Sequence, residues 1–250
     1  MRDPTPPFVP RIRSRSERVV VAIDGPAASG KSSTAQWVAE RLGYRHVDSG
    51  ALYRAATAAR MTEAGDPALW TEASVLEACR RVRLVPRGTS FVPLIDGEVA
   101  DERIRGGEVT RHVSAVARMP RVREWVNEQV RATARESDIV VDGRDIGTVV
   151  FPEATLKVFL VADPWERASR RLLQRLGRRP TDEETAEETD RLVQRDARDA
   201  TQTVQAKDAV LIDTTYLTQA DQVERIVALA RAVTQPPDDT SSIDGRARNG

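Results

Sequence analysis

The sequence predicts an α/β fold in which helices flank a central parallel β-sheet. Five short apolar runs, rich in β-branched residues, recur along the chain, and stretches with helical periodicity separate them. Strands that alternate with helices form parallel sheets covered on both faces, so each strand is almost wholly apolar. The candidate strands are residues 19–23, 44–48, 138–143, 155–162 and 208–213.

The helical stretches are recognised by apolar residues spaced at i, i+3, i+4 and i+7. Residues 35–42 follow this spacing directly after the first candidate strand and its loop, and Gly43 is a typical helix stop. Residues 122–130 and 168–176 repeat the pattern later in the chain. Helices are therefore expected between successive strands, as a parallel sheet requires.

Charge and composition exclude several classes of protein. The chain has 38 basic and 38 acidic side chains, whereas proteins that bind nucleic acid polymers usually carry a basic excess. Cys79 is the single cysteine, so neither an internal disulfide nor a cysteine-based zinc site is possible. No apolar run approaches the length of a membrane span. We therefore expect a cytoplasmic protein whose partners are neither membranes nor nucleic acid polymers.

One main domain is predicted over residues 18–235, between a disordered N-terminal arm (1–17) and a disordered C-terminal tail (236–250). Both tails are polar and lack apolar periodicity, which is typical of segments that cannot form a core. The remaining residues are numerous enough to bury one sizeable core.

Two regions of the main domain break the alternation of strands and helices. Residues about 65–118 contain two short β-like runs and an Asp96-Gly97 pair, which predict a hairpin in a partly antiparallel insert. Residues about 170–198 include a highly charged, apolar-poor segment that we interpret as a mobile lid. Thr181 is a predicted helix cap within it.

A glycine-rich loop follows the first candidate strand. Residues 25–32 match the pattern G-x-x-x-x-G-K-[ST] at every position, between a strand and a helix. In such a loop the backbone N–H groups surround phosphate oxygens, the lysine reaches the β- and γ-phosphates, and the serine hydroxyl binds Mg²⁺. We therefore predict a nucleoside triphosphate site with Ser32 as a magnesium ligand. Its residues are Gly25, Pro26, Ala27, Ala28, Ser29, Gly30, Lys31, Ser32 and Ser33.

The phosphate loop alone does not define the reaction, because GTPases and motor ATPases carry the same loop. Residues 47–56 and 141–154 follow the second and third candidate strands, and the carboxyl ends of parallel strands face one crevice. Arginines there indicate a second phosphate group to bind, and a carboxylate would accept hydrogen bonds from an amino group. The polar residues expected beside the loop are Ser49, Tyr53, Arg54, Arg144 and Asp145.

Five segments occur in the order and approximate spacing seen in bacterial cytidylate kinases: IDGPAASGKSS, DSGALYR, VSAVARMPRVRE, DGRDIGTVVFPEA and QRDARD. The sequence resembles this family over about residues 19–230, and DSGALYR and DGRDIGTVVFP are far more specific than the phosphate loop. The resemblance implies a nucleoside monophosphate kinase with a P-loop NTPase core, an acceptor-binding insert and a helical lid. It also implies transfer of the γ-phosphoryl group of ATP to CMP or dCMP. We expect a monomer.

The resemblance further implies which residues recognise the nucleoside of the acceptor. Ser114, Arg123 and Asp145 match family positions that read the cytosine, and Asp199 matches a position that contacts the ribose. The chemistry agrees for Asp145, because the N4 amino group of cytosine donates hydrogen bonds and a carboxylate accepts them.

Arginines are implied for the phosphates. Arg170 and Arg171 match lid arginines that close over the ATP phosphates, so they and Lys31 are the implied catalytic residues. The positions that match those holding the acceptor phosphate are Arg54, Arg144 and Arg195.

The sequence departs from the family pattern after Asp199. Residues 199–202 read Asp-Ala-Thr-Gln where the family usually has Asp-Ser-x-Arg, and the last candidate strand begins several residues early. An arginine that supports the ribose is therefore absent, which leaves the preference between CMP and dCMP open. We interpret Lys207 nearby as a surface residue.

No general base is predicted, because a phosphate monoester has a second pKa of about 6 and is largely dianionic near pH 7. We expect His46 and His112 to be packing or surface residues. Catalysis would consist of positioning and charge neutralisation. Two alternatives stay open: another P-loop small-molecule kinase with a different acceptor such as UMP, and a nucleotide-binding regulatory protein that has lost catalysis.

Overall fold

The computed structural model describes residues 18–234 and confirms the predicted α/β fold. The two predicted tails, 1–17 and 236–250, lie outside the described residues. An eight-stranded sheet forms the centre of the molecule. Its strands are β1 (Val20–Asp24), β2 (Arg45–Asp48), β3 (Val82–Arg87), β4 (Ser90–Ile95), β5 (Glu98–Val99), β6 (Ile139–Asp142), β7 (Leu156–Val161) and β8 (Val210–Asp213).

Helices connect the strands and pack on both faces of the sheet. They are α1 (Lys31–Leu42), α2 (Ser49–Met61), α3 (Glu72–Cys79), α4 (Asp101–Arg105), α5 (Gly107–Val116), α6 (Pro120–Glu136), α7 (Pro164–Leu176), α8 (Asp182–Asp199) and α9 (Gln219–Thr234). The α1 helix ends at Gly43 as predicted, and Thr181 begins α8 with a capping box to Glu184. Within residues 18–234, no helix is long and apolar enough to cross a membrane.

The sheet has the order β3-β4-β2-β6-β1-β7-β8, and β5 pairs with β4. The strands from β4 to β8 in this order are parallel, so all five predicted strands are present in a parallel sheet. The β3 and β5 strands pair antiparallel with β4, and Asp96 and Gly97 form the β4–β5 turn. The predicted hairpin therefore extends the central sheet. The limits of the insert and of the lid stay predictions.

The core has two halves because successive side chains of a strand point to opposite faces. In β1, Val20 and Ala22 pack with residues of α2 and α6, whereas Val21 and Ile23 pack with residues of α1 and α9. Burial on both faces explains why β1 reads as a continuous apolar run rather than an alternating one.

The strand register brings three connections to the same edge of the sheet. Residue Ile23 of β1 and residue Asp48 of β2 both lie beside Asp142 at the end of β6. The phosphate loop, the start of α2 and residues 143–150 therefore begin next to one another. This is the edge at which ligands bind in open α/β sheets.

Candidate active site

A single cleft opens at the carboxyl edge of β1, β2 and β6. Lys31 and Ser32 of the phosphate loop line this cleft, and so does Arg171 of α7. All the residues that were predicted to bind the acceptor also line it: Ser49, Tyr53, Arg54, Ser114, Arg123, Arg144, Asp145, Arg195 and Asp199. The structure therefore brings the two predicted half-sites together, and the roles of the individual residues stay predictions.

The lysine of the phosphate loop makes hydrogen bonds within the loop itself. The Nζ atom of Lys31 donates to the backbone oxygen of Pro26 at 2.5 Å and lies 3.4 Å from Oγ of Ser29. Burial and the neighbouring Arg144 charge together lower the pKa of Lys31 to about 8. A buried ammonium group with only uncharged hydrogen-bond partners favours an anionic ligand, and triphosphate oxygens would supply the missing negative charge.

Two residues that the sequence pattern did not single out hold the phosphate loop from the lid side. Arg167 of α7 donates from Nη1 to the backbone oxygen of Ala27 at 2.8 Å and to Oδ2 of Asp196 at 2.6 Å. Asp196 of α8 in turn accepts from the backbone N–H of Ala27 at 3.2 Å. The loop is therefore fixed to both helices of the α7–α8 pair.

Gly25 at the start of the loop has no room for a side chain. Its φ is +147°, and an added Cβ would collide with the backbone oxygen of Leu160 in β7. We predict that Gly25→Ala lowers the free energy of unfolding by more than about 1 kcal/mol, because the backbone conformation is incompatible and the contact atom is backbone. Urea unfolding monitored by circular dichroism measures this.

Gly88→Ala is the matched control for that prediction. Gly88 also has a positive φ, +58°, but an added Cβ would meet nothing within 4 Å. A smaller loss of stability is expected there, since only the left-handed backbone is unfavourable. Equal losses for the two variants would contradict a specific role for the close approach of Gly25 to β7.

Asp142 at the end of β6 is a central residue of the site that the sequence pattern did not single out. Its Oδ2 accepts from Oγ of Ser32 at 2.5 Å, and its Oδ1 lies 2.7 Å from Nε2 of His46. Burial opposes protonation of His46, but the hydrogen bond and the negative charges of Asp142 and Asp48 raise its pKa above the ordinary value. His46 is thus a buried partner of Asp142, whereas His112 packs on Trp70 at the edge of the insert.

The oxygens of Ser32 and Asp142 fit the magnesium ion that the phosphate loop implies. Mg²⁺ prefers oxygen ligands and is usually held by one or two protein groups together with substrate phosphates and water. In the described part of the chain, no cluster of three or more His, Cys, Asp or Glu side chains could hold a metal ion. A hydroxyl and a carboxylate that already touch each other therefore suit Mg²⁺ delivered with a nucleotide.

A buried carboxylate fixes the turn that carries Arg144 and Asp145. Asp24 at the end of β1 accepts from the backbone N–H groups of Ile146 and Gly147 at 2.8 and 2.7 Å. Burial raises the pKa of Asp24 to about 6, although these two hydrogen bonds oppose the shift. The turn after β6 is therefore attached to the strand that precedes the phosphate loop.

Positive charge is concentrated in the acceptor half of the cleft. Arg54, Arg144 and Arg195 line it together, and burial and mutual repulsion lower the pKa of Arg54 and Arg195. Asp199 offsets part of the charge, since its Oδ2 lies 2.9 Å from Nη2 of Arg144 and 3.7 Å from Nε of Arg195. Arg105 of α4, which the sequence pattern did not identify, lines the same region. Such an excess of arginine over carboxylate suits a dianionic phosphate.

A second group of polar residues lies in the same cleft. Nη2 of Arg123 forms an ion pair with Oδ2 of Asp145, and its Nη1 donates to the backbone oxygen of Ala117 at 3.1 Å and to Oε1 of Gln202 at 3.0 Å. Ser114 lines the same cleft. Donors and acceptors are thus arranged for a planar polar group such as a base edge. Gln202 was not among the residues predicted for the site.

The two neighbouring lid arginines are placed differently. Arg171 lines the cleft, and its Nε lies 3.0 Å from Oε1 of the buried Glu188. Arg170 does not line the cleft, and its Nη2 donates to the backbone oxygens of Thr214 and Thr215 at 2.8 and 2.7 Å. The structure therefore brings Arg171, but not Arg170, to the other predicted site residues.

Comparison with known proteins identifies the same family by a family model and by individual relatives. The family model described as "Cytidylate kinase" matches residues 21–232. A cytidylate kinase of Chlorobaculum tepidum is 40% identical over 226 residues, which cover 87% of this chain and 94% of that protein. One of Limosilactobacillus fermentum is 42% identical, covering 83% of this chain and 93% of that protein. A solved shikimate kinase of Bacteroides thetaiotaomicron, at 14% identity and a TM-score of 0.42, covers 86% of this chain and 97% of that one and is too dissimilar to support any inference.

Proposed function

The chain belongs to the cytidylate kinase family, and on that premise we propose that it transfers the γ-phosphoryl group of ATP to CMP or dCMP, giving ADP and CDP or dCDP. The observation that carries the proposal is that Lys31 and the acceptor arginines line one cleft. A triphosphate on the loop and a monophosphate on the arginines would then face each other without intervening protein. Direct, in-line transfer needs this arrangement.

On the donor side, we assign Lys31 to the β- and γ-phosphates and Arg171 to the phosphoryl group in transfer. Both act as positive charges that are in place before the charge develops, which is the main source of catalysis in this type of reaction. Arg170 would have to leave the carbonyls of Thr214 and Thr215 to take part. Mg²⁺, held by Ser32 and Asp142 together with the phosphates, would neutralise further negative charge.

On the acceptor side, we assign Arg54, Arg144 and Arg195 to the phosphate of CMP. This phosphate is largely dianionic near pH 7, so it can attack without losing a proton to the protein. His46 does not line the cleft and its Nε2 pairs with Asp142, which supports a mechanism without a general base. The arginines orient the attacking oxygen and hold it against the repulsion of the triphosphate.

We assign Asp145, Arg123 and Ser114 to the cytosine and Asp199 to the ribose. The N4 amino group of cytosine donates, and Asp145 accepts; N3 and O2 of cytosine accept, and Arg123 donates. Uracil presents an acceptor at O4 and a donor at N3, so the same pair would meet it with mismatched groups. A site built to satisfy hydrogen bonds discriminates strongly against a ligand that leaves them unpaired.

A coupled assay of ADP release with CMP, dCMP, UMP and AMP tests the proposal. Turnover is expected with CMP or dCMP in the presence of Mg²⁺, and the ratio between these two settles the preference that the missing arginine leaves open. Preferred turnover of UMP or AMP would assign another acceptor. ADP release that no monophosphate stimulates would contradict a kinase activity.

We further propose that the enzyme works as a monomer in the cytoplasm. The described cleft is lined by donor, acceptor and lid residues of one chain, which supports this proposal. Light scattering of the purified protein tests this through its mass in solution. Assays at a series of protein concentrations are the second test, because dilution of a monomer leaves its specific activity unchanged.

The pKa of Lys31 gives the proposal a pH dependence. Burial and Arg144 lower this pKa to about 8, against the opposing charges of Asp142, Asp24 and Asp196. A lysine is positively charged below its pKa, so the attraction for ATP is present below pH 8 and is lost as the pH rises through it. We predict that kcat/KM for ATP, which reports the free enzyme, falls above about pH 8.

The measurement is kcat/KM for ATP between pH 6.5 and 9.5 with CMP held well below its KM, so that the free enzyme is the starting state. Lys31→Arg is the informative comparison, because a guanidinium keeps its charge over this whole range. The kcat/KM of Lys31→Arg for ATP is expected to be low, but it should not fall as the pH rises above 8. A wild-type profile that stays level through pH 9.5 would contradict the assigned pKa.

A further inference from the structure

Gln202 lines the cleft, and the assigned mechanism supplies no role for it. It ends a short 3₁₀ helix over Ala200–Gln202 that continues directly from α8, and it lies where the chain departs from the family pattern. Its side chain is half-buried and lines the acceptor half of the cleft. An uncharged amide in a cleft dominated by charged groups points to a specific hydrogen-bonding role.

The contacts of Gln202 identify that role. Its Oε1 accepts from Nη1 of Arg123 at 3.0 Å, and the backbone oxygen of Ala117 accepts from the same nitrogen at 3.1 Å. Asp145 binds the other terminal nitrogen. The Arg123 guanidinium is therefore attached to three parts of the chain: the residue after α5, the turn after β6 and the 3₁₀ helix after α8.

Each of these attachments limits a different motion of the guanidinium. The ion pair with Asp145 alone would leave the planar group free to swing about that contact, because a single Nη2 bond defines a distance but no plane. Two further acceptors at Nη1 fix the plane. Only Gln202 supplies one of these from a side chain, since Ala117 contributes backbone oxygen.

We propose that Gln202 is a positioning residue for base recognition: it fixes the plane of Arg123 so that its N–H groups meet the acceptor atoms of cytosine. The inference rests on the proposed function. Because Gln202 ends the 3₁₀ helix that continues from α8, it also ties base recognition to the end of that helix. A guanidinium released from Gln202 could turn toward O4 of uracil, so the residue contributes to specificity as well as to affinity.

The variants Gln202→Leu and Gln202→Glu test the proposal. Leucine has a similar size but no acceptor, whereas glutamate keeps the accepting oxygen beside Arg123. Gln205→Leu is the matched control, because Gln205 is exposed in the same segment and does not line the cleft. We expect Gln202→Leu to raise KM for CMP about tenfold, the scale of one lost hydrogen bond to a charged group.

The pattern across substrates separates positioning from general structure. For Gln202→Leu, kcat and KM for ATP should stay within about twofold of wild type, and the preference for CMP over UMP in kcat/KM should fall by about the same factor of ten. Gln202→Glu should retain a KM for CMP close to that of the wild type. Gln205→Leu should change neither the KM for CMP nor the KM for ATP.

Three outcomes would overturn the proposal. The first is an unchanged KM for CMP in Gln202→Leu, and the second is a rise of its KM for ATP by a similar factor. The third is a KM for CMP in Gln202→Glu as high as that of Gln202→Leu. Wild-type protein that phosphorylates none of the monophosphates would contradict the proposed function instead. In that event, calorimetric titration with CMP still decides the role of Gln202, because weaker binding by Gln202→Leu than by Gln205→Leu supports it and equal or absent binding refutes it.

Discussion

Lys31→Ala is expected to lower kcat by at least about 100-fold, the scale on which loss of one preorganised charge contact slows an enzyme. Lys31 is the cation of the phosphate loop, and its Nζ is held at the loop by Pro26 and Ser29 in the described structure. Arg171 also lines the cleft, but its Nε is paired with Glu188 of α8 rather than with the phosphate loop. The measurement is steady-state turnover with ATP and CMP both saturating.

The stability of the variant shows that a loss of rate is chemical and not a failure to fold. The Lys31 ammonium is desolvated, which lowers its pKa, so the loop does not depend on this charge for its stability. We expect the melting temperature of Lys31→Ala to equal or exceed that of wild type. Lys207→Ala is the matched control, because Lys207 is exposed and outside the cleft. A Lys31→Ala enzyme with most of its turnover intact would refute the assignment of the phosphate loop.

The parts of the fold that the sequence predicted are those encoded locally. The β1 strand, the glycine loop and α1 follow from the apolar run 19–23, the phosphate-loop pattern and the spacing of residues 35–42. The pairing of β4 with β2 could not be derived in this way. It joins segments far apart in sequence, and a short apolar run does not specify its neighbour in the sheet.

The residues of the site also divide into those that a local sequence pattern predicts and those that only contacts between distant segments identify. Ser49 and Arg144 were expected in the cleft because each follows a strand end, where parallel sheets collect their ligands. Asp142 carried the same signal, since it is the last residue of β6, yet a single aspartate after an apolar run is common. Its importance lies in its contacts with Ser32 of α1 and His46 of β2, which a pattern in the sequence does not reveal.

Helix geometry explains why two adjacent arginines have different surroundings. Successive residues of an α-helix are about 100° apart around its axis, so Arg171 can face the cleft while Arg170 faces the loop after β8. The spacing within α7 indicates which residues share a face, but the orientation of that face depends on packing against α8. The sequence pattern alone therefore cannot choose between the two arginines.

Asp145→Ala is expected to lower kcat/KM for CMP by at least about 100-fold, because breaking a buried ion pair leaves Arg123 without its counter-charge as well as removing the acceptor for N4. Burial raises the pKa of Asp145, and the ion pair with Arg123 opposes that shift and favours the carboxylate form that accepts hydrogen bonds. Among the described residues, the hydrogen bond and ion pair of this carboxylate go to Arg123 and not to the phosphate loop. Calorimetric binding of ATP should therefore stay within about threefold of wild type.

Asp190→Ala serves as the control for Asp145→Ala, because Asp190 is an exposed aspartate of α8 that does not line the cleft. Asp145→Asn separates charge from shape, since an asparagine oxygen can still accept from N4 but pairs weakly with Arg123. We expect its kcat/KM for CMP to lie between those of wild type and Asp145→Ala. Equal losses of CMP turnover and ATP binding in Asp145→Ala would instead make Asp145 a structural or metal-linked residue, because recognition of the base alone cannot weaken the donor site.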